Sequence, residues 1–408
     1  MSTGQAAPSP DRGNLALAAL FIGMFVMGGT ELLVVGMLDL IAIDLRISIP
    51  AAGALVTAYA LGLAIGGPML TAVSIRLNRR TVLVGALALF VLSNLVAVLT
   101  TTYAVLVAAR TVTGALEGLF IAAAIAAGIA AVPPARAGRA MAVVISGAAV
   151  SGALGAPLGA LLGQALGWRG TFAAAGAVAV AALIATVALV PSAPSTGGGA
   201  VRQARHAFAP RVLAVLGLTV LVFAAVYAPL TYIVPFLHSV TGISGALISV
   251  FLLAYGVATT VGSSGGGRFA DANAARTLTV GTIGFAACLV TLYVAGTSAV
   301  AVAVAVLGLG LFAMGMAPSM QYRVVSLAGP GSDLAQSLPA SAAGLGTAAG
   351  SLAGGVAIGG YSPRAAVITG LAIALIGIPA AWAASFLRPP ATREDTRPAP
   401  AELAVSHA

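Results

Sequence analysis

A chain of 408 residues of which 60% are hydrophobic and 7% charged, with a mean hydropathy of +1.07, is not a soluble globular domain, because such domains carry about 25% charged residues. The formal net charge of +9 comes from arginine without any lysine, and the arginines cluster at the ends of apolar runs rather than in one patch, which argues for membrane topology and against a nucleic-acid partner. A single cysteine, Cys288, excludes a disulfide framework and a cysteine-based metal site.

A membrane-spanning helix needs about 20 mainly apolar residues. Cutting the chain at Gly, Pro, Arg and polar clusters predicts twelve such runs: 15–40, 52–74, 81–100, 103–131, 140–165, 171–190, 211–237, 245–266, 277–295, 299–322, 335–358 and 364–387. The first is too long for the core of a cleavable signal peptide. The expected fold class is an all-α integral membrane protein, with 12 transmembrane helices in two pseudo-symmetric six-helix bundles. A tail (1–14) leads into the N-terminal bundle (15–190). A Gly/Ser-rich basic linker (191–210) carries Arg202, Arg205 and His206, and the C-terminal bundle (211–387) and a second tail (388–408) follow. With the N-terminus inside, fifteen of the nineteen arginines fall on the cytoplasmic side. Only Arg46, Arg169 and Arg364 fall outside, and Arg110 lies within a span. The positive-inside rule therefore places both termini in the cytoplasm of a multi-pass cell-membrane protein.

The halves repeat. Gly53-Ala54-Leu55-Val56 recurs as Gly245-Ala246-Leu247-Ile248, and Arg80-Thr81-Val82-Leu83-Val84-Gly85 as Arg276-Thr277-Leu278-Thr279-Val280-Gly281, at offsets of 192 and 196. Small residues at Gly147, Ser151, Gly155 and Gly159 in the fifth span return 195 residues later as Ala342, Gly346, Gly350 and Gly354 in the eleventh. A duplicated six-helix unit of this kind places a substrate site between the halves near the midplane.

Local motifs agree with that architecture. Ser74-Ile75-Arg76-Leu77-Asn78-Arg79-Arg80 and Gly267-Arg268-Phe269-Ala270-Asp271 with Arg276 resemble the basic loop motif that major facilitator transporters carry between helices 2 and 3 and, in weaker form, 8 and 9. Ile75 stands where that motif has an acid. Arg110-Thr111-Val112-Thr113-Gly114 is similar to the superfamily's helix-4 motif, and Gly152-Ala153-Leu154-Gly155-Ala156-Pro157-Leu158-Gly159 to the helix-5 motif of its proton antiporters. Gly29-Thr30-Glu31 and the segment Ala52–Ala60 resemble the sugar-efflux and chloramphenicol-exporter branch, although Asp39 stands where that branch usually has proline. The resemblance runs from about residue 15 to 387. It implies a secondary transporter powered by a proton gradient, with no cofactor, no metal and no nucleotide, working as a monomer.

A carboxylate within hydrocarbon is costly, by at least ~2.5 kcal/mol, and such groups face a bundle interior or a water-filled path. At ~1.5 Å per helical residue, Glu31 lies roughly 18 Å deep and Glu117 roughly 21 Å, with Asp39 and Arg110 shallower at about 6 and 10 Å. Arg110, Gly114 and Glu117 share one helix face. Glu31, Arg110, Asp39 and Glu117 are thus the candidate proton-coupling residues, with Arg110 expected to pair with Glu31 or Asp39. The bland alternative is a static ion pair that locks helices 1 and 4, and for Asp39 a solvated helix end. Gly152, Gly155, Pro157 and Gly159 form a bendable segment, because Pro157 removes a helical hydrogen bond. By the family resemblance that segment belongs to the conformational cycle. Arg76, Arg79, Arg80, Arg268, Asp271 and Arg276 are expected at a cytoplasmic gate, with plain topology signalling as the alternative. Tyr59, Phe120, Tyr227, Tyr232 and Phe236 are weaker candidates to line the substrate cavity, and His238 is read as interfacial.

The expected function is export of a small organic molecule, such as a drug like chloramphenicol, a sugar or a metabolite, by proton antiport with alternating access. The alternatives are a proton-coupled sugar uptake symporter or facilitator, and a transporter-derived membrane sensor. No nucleophile–base pair supports an enzyme.

Overall fold

The computed structural model describes residues 10–74, 76–133, 136–192, 208–328 and 338–388, with the backbone but not the side chains of Pro10, Asp11, Asp271 and Ala272. Ile75, most of the 191–210 linker and all but the first residue of the 388–408 tail lie outside the described residues.

Apolar runs bounded by Pro, Asn and Gly fold into helices long enough to cross a bilayer. They are α1 (Pro10–Gly36, continued by Leu38–Leu45), α2 (Ile49–Leu61, a π-helical turn Gly62–Gly66, then Gly67–Ser74), α3 (Arg79–Leu99) and α4 (Tyr103–Ala130). Next comes a 53-residue helix, Ala137–Leu189. At ~1.5 Å per residue it would be far longer than a bilayer is thick. Gly167, at φ 70 and ψ 169, breaks it into α5 (137–166) and α6 (168–189). Only glycine adopts that backbone without steric penalty. The second half holds α7 (Pro210–Leu230, continued by Ile233–Phe236), α8 (Ala246–Ala270), α9 (Asn273–Val294), α10 (Ala299–Ala328), α11 (Leu338–Gly360) and α12 (Pro363–Ser385). Among the described residues, eleven helical segments meet the length and hydropathy of a membrane span, and the division at Gly167 brings the crossings to twelve. Several helices outrun the expected spans, α10 by six residues at its C-terminal end, because helices continue past the hydrocarbon boundary.

The small-residue repeats are packing seams, used alike in both halves. In α5, Gly147, Gly155 and Gly159 lie against Phe21, Gly29 with Leu32, and Leu33 of α1. In α11, Gly346, Gly350 and Gly354 lie against Val220 with Phe223, Ala224 and Ala228 of α7. A second seam joins α2 to α4, where a Cβ on Gly114 would fall on the Tyr59 carbonyl oxygen. Its counterpart in the other half sets Gly310 of α10 against the Tyr255 carbonyl. Backbones approach this closely only where side chains are absent, which is how helices gain dispersion contact in lipid.

The halves meet along α2–α11 and α5–α8. Ser351 Oγ donates to the Gly53 carbonyl at 3.1 Å, and Tyr232 OH donates to the Ser351 carbonyl at 3.0 Å. Pro50 packs on Gly355 and Gly359, Ala153 on Gly256, and Gln164 Nε2 donates to the Gly245 carbonyl at 3.2 Å. These contacts gather toward the arginine-poor end of the bundle. One continuous apolar core accordingly runs from Leu32, Leu38 and Leu55 of the first half into Val222, Tyr232 and Phe251 of the second. At the arginine-rich end the first half keeps its own core, built on Leu20, Phe90 and Phe120.

Candidate functional site

Five helices of the first half and two of the second converge on a polar cluster in the middle of this apolar body. Arg110 of α4 is 1% exposed. Its Nη2 donates to the Thr30 carbonyl at 3.0 Å, and its guanidinium carbon lies 4.3 Å from the Tyr59 ring centroid and 5.7 Å from that of Phe172. Nε and Nη1 have no hydrogen-bond partner. A buried idle donor costs about 1–3 kcal/mol, so a guanidinium with two of them is poised for an acceptor that this state does not supply. Tyr59 OH donates to the Met27 carbonyl at 3.0 Å and also lies within hydrogen-bonding reach of Glu117 Oε2. Gly28 of α1 leaves room for Glu117 and Ser151 to meet there.

Glu31 of α1 is partly exposed. Its carboxylate lies beside the Tyr227 hydroxyl of α7, across the boundary between the halves, and it interacts electrostatically with Tyr227, Arg110, Glu117 and Tyr255. The cluster therefore holds two carboxylates against one guanidinium.

The pairing expected for Arg110 needs correction. It forms no ion pair with Glu31 or Asp39; the one ion pair among the described residues joins Asp44 to Arg169. Arg110 sits close enough to Glu31 for electrostatic coupling, and the Tyr227 hydroxyl lies beside the same carboxylate. Asp39 lies apart, in a cavity of about 1040 Å3 at the arginine-poor end that it shares with His238. The two matching depths worked out along α1 and α4 do bring Glu31 and Glu117 together.

Of the aromatic candidates, Tyr59 and Tyr227 belong to the cluster. Phe120 does not line a cavity: it packs into the core of the first half against Gly23. Phe236 is likewise core, beside Gly296, and Tyr232 wedges between Gly53 and Gly355 as part of the seal. In the helix-5 segment Gly155, Pro157 and Gly159 are buried along α1, whereas Gly152 faces open space. At the arginine-rich end, Arg79 Nη1 donates to the Ala126 carbonyl at 2.9 Å and Arg80 Nη2 donates to the Val187 carbonyl. These bonds tie helix ends within the first half. Arg76, Arg268 and Arg276 are exposed, and the Asp271 side chain lies outside the described residues.

Thr30, Ser151, Phe172 and Tyr255 complete the cluster without having been singled out from sequence. The internal repeat held a signal for one of them. Glu31 and Tyr227 are 196 residues apart, as are Tyr59 and Tyr255 and the packing pair Gly114 and Gly310. The same offset relates Arg80 to Arg276, so Glu31 and Tyr227 occupy equivalent positions of the two halves and meet at the centre.

The family profile of the Major Facilitator Superfamily matches residues 20–336 and again 216–407. Among proteins similar in sequence, the inner membrane transport protein YdhP of Escherichia coli (strain K12) is 32% identical over 379 residues, covering 89% of this chain and 95% of its own. The MFS-type transporter YtbD of Bacillus subtilis (strain 168) is 32% identical over 357 residues, 85% of this chain and 90% of its own. A chloramphenicol resistance protein of Streptomyces lividans is 33% identical over 271 residues, 65% of this chain and 69% of its own. Among solved structures, an inward-facing, unoccupied bacterial homologue of the human lysosomal transporter Spinster superposes with a TM-score of 0.79 at 16% identity, covering 93% of this chain and 98% of that one. The chain belongs to the major facilitator superfamily. It is a multi-pass membrane transporter whose relatives include a chloramphenicol resistance protein.

Proposed function

We propose that this transporter exports a small organic molecule in exchange for protons, with the Glu31–Arg110–Glu117 cluster as the exchanging site. The observation that carries the reading is the approach of Tyr227 to Glu31, which makes the acid a contact between the two halves rather than a fixture of one. Two carboxylates beside one guanidinium balance charge when one proton is bound. The single hydroxyl hydrogen of Tyr59 serves one acceptor well, and a protonated Glu117 donating to Tyr59 leaves that hydrogen for Met27. While the inner end is open, release of the Tyr227 contact lets the idle Arg110 donors take the Glu31 carboxylate. A nearby guanidinium favours the charged form, so the proton leaves to the cytoplasm before the outward stroke, and Glu31 is reloaded from outside once the halves have rocked.

Both termini lie in the cytoplasm in this reading, so the sealed arginine-poor end is the outer one and the structure represents an inward-facing state. The helix-5 Gly/Pro segment, which resembles that of proton antiporters, favours export over sugar uptake by symport. Chloramphenicol is a reasonable first substrate, since a relative carries resistance to it in its name.

The test is gradient-driven transport in proteoliposomes, with chloramphenicol and a metabolite panel identified by susceptibility of cells with and without the gene. Wild-type protein is expected to move substrate against its gradient and opposite to protons. Glu31→Gln is expected to abolish uphill movement while substrate binding persists. Full gradient-driven activity in Glu31→Gln overturns the coupling role, and movement of substrate and protons in the same direction overturns export.

A further inference from the structure

A second cavity, of about 630 Å3, lies in the C-terminal half between α8, α9 and α10, remote from the charged cluster. Its walls are apolar along most of their length and polar at one end. Gly262 and Gly266 of α8 meet Leu311 and Gly315 of α10 backbone to backbone, so no side chain fills the groove outside that seam, and a Cβ on Gly265 would meet open space. The rim residues Val261, Phe269 and Val280 are all more than half exposed. The polar end holds Asn273, Arg276 and Thr277. Asn273 Oδ1 accepts the Arg276 backbone N–H at 2.9 Å, and the Thr277 hydroxyl is taken by the Phe269 and Asn273 carbonyls. The Arg276 guanidinium makes no hydrogen bond or ion pair among the described residues.

We propose that this groove is a binding site for an anionic phospholipid, one acyl chain lying along the Gly262–Gly265–Gly266 face and the headgroup phosphate accepting from Arg276. The groove is walled by residues of three helices long and apolar enough to span a bilayer, whose surrounding solvent is acyl chain. Arg276 stands at its arginine-rich end, which in the orientation given above is the anionic cytoplasmic leaflet. Basic pockets between transmembrane helices on that side take anionic headgroups, and an arginine stem follows apolar surface while its head reaches the interface. The inference uses that orientation but not proton coupling, and its test requires no gradient.

Purified full-length protein in nonionic detergent is titrated with phosphatidylglycerol and phosphatidylcholine of identical chains, and bound lipid is counted by native mass spectrometry. Phosphatidylglycerol is expected to be favoured roughly fivefold, the contribution of one arginine near a headgroup. Arg276→Gln brings the ratio near one, while Arg268→Gln, an exposed neighbour that does not line the groove, preserves it. Gly265→Leu lowers the occupancy of both lipids by filling the groove. Because Arg276 is exposed, its variant retains the fold, which an unchanged melting temperature verifies. A wild-type ratio near one, a preserved ratio in Arg276→Gln, or an equal loss in Arg268→Gln overturns the site. Displacement of phosphatidylglycerol by inorganic phosphate, together with no effect of Gly265→Leu, makes it a bare anion contact and overturns the lipid reading.

Discussion

Tyr59 has two jobs that a phenylalanine would separate. Its ring underlies the Arg110 guanidinium at 4.3 Å, and its hydroxyl joins the Met27 carbonyl to Glu117. Tyr59→Phe keeps the first and deletes the second, leaving a buried carboxyl oxygen without that partner. A loss of about 1–3 kcal/mol in folding stability is expected, read as a lower melting temperature, together with a drop in proton-driven transport that exceeds any drop in substrate binding. A different residue-scale test lies beyond the first span, where Asp44 accepts from Trp168 Nε1 at 3.0 Å and pairs with Arg169. The Arg169 hydrogen bond, and then that of Trp168, hold the Asp44 carboxyl below its usual range. A depressed folded-state pKa contributes stability above the unfolded value of ~3.9 and loses it as pH falls through the folded value. Both partners are partly exposed, so the contribution stays under about 1 kcal/mol and is screened by salt. Asp44→Asn should lower the melting temperature slightly at pH 6 and not at all once the pH is well below 3.9. An equal deficit at both ends of that range would show that packing, not charge, holds the junction.

At the scale of the helix, the glycine seams matter more than any one polar contact. Gly114 brings α4 onto the Tyr59 carbonyl, and the residue four positions earlier on the same face is Arg110. Gly114→Val would push α4 away from α2, at a cost of about 1–3 kcal/mol for overpacking, and would shift Arg110 relative to Tyr59. Loss of transport with protein still inserted in the membrane is the expected outcome. Gly85, where a Cβ meets nothing within 4 Å, is the control: Gly85→Val should leave transport close to wild type. Helix 5 was legible as a small-residue stripe with a proline, and its contacts follow from that stripe, since small residues mark where helices in lipid touch. The π-helical turn at Gly62–Gly66 had no comparable signature, because one extra residue per turn leaves hydropathy unchanged. Such turns concentrate at functional sites, and this one directly follows the Tyr59 segment.

For the whole molecule, the arginine-poor seal is a small number of hydrogen bonds linking α2, α7 and α11. Tyr232→Phe and Ser351→Ala each remove one, at about 1 kcal/mol apiece. That is enough to change the ratio of two conformers several-fold. With Cys288 replaced by alanine, spin labels at the exposed positions Ile43 and Tyr361 would report the separation of the halves at that end. The double variant should enlarge the population with a longer distance, and an unchanged distribution would mean that apolar contact alone closes this end.

Twelve crossings, two equivalent bundles and the asymmetric arginine loops were all decided residue by residue, because transfer into a bilayer and the positive-inside bias depend on composition along the chain. The presence of Glu31 and Glu117 at compatible depths was legible for the same reason. Their partners were not. Whether Arg110 meets Asp39, Glu31 or the Thr30 carbonyl depends on the rotation and tilt of α1 and α4 about their axes, set by glycine seams with neighbouring helices. Likewise, the meeting of Glu31 with Tyr227 exists only because two halves, 196 residues apart in the chain, close around a common centre. Hydropathy places a residue in the membrane, and only the packed bundle determines what it faces.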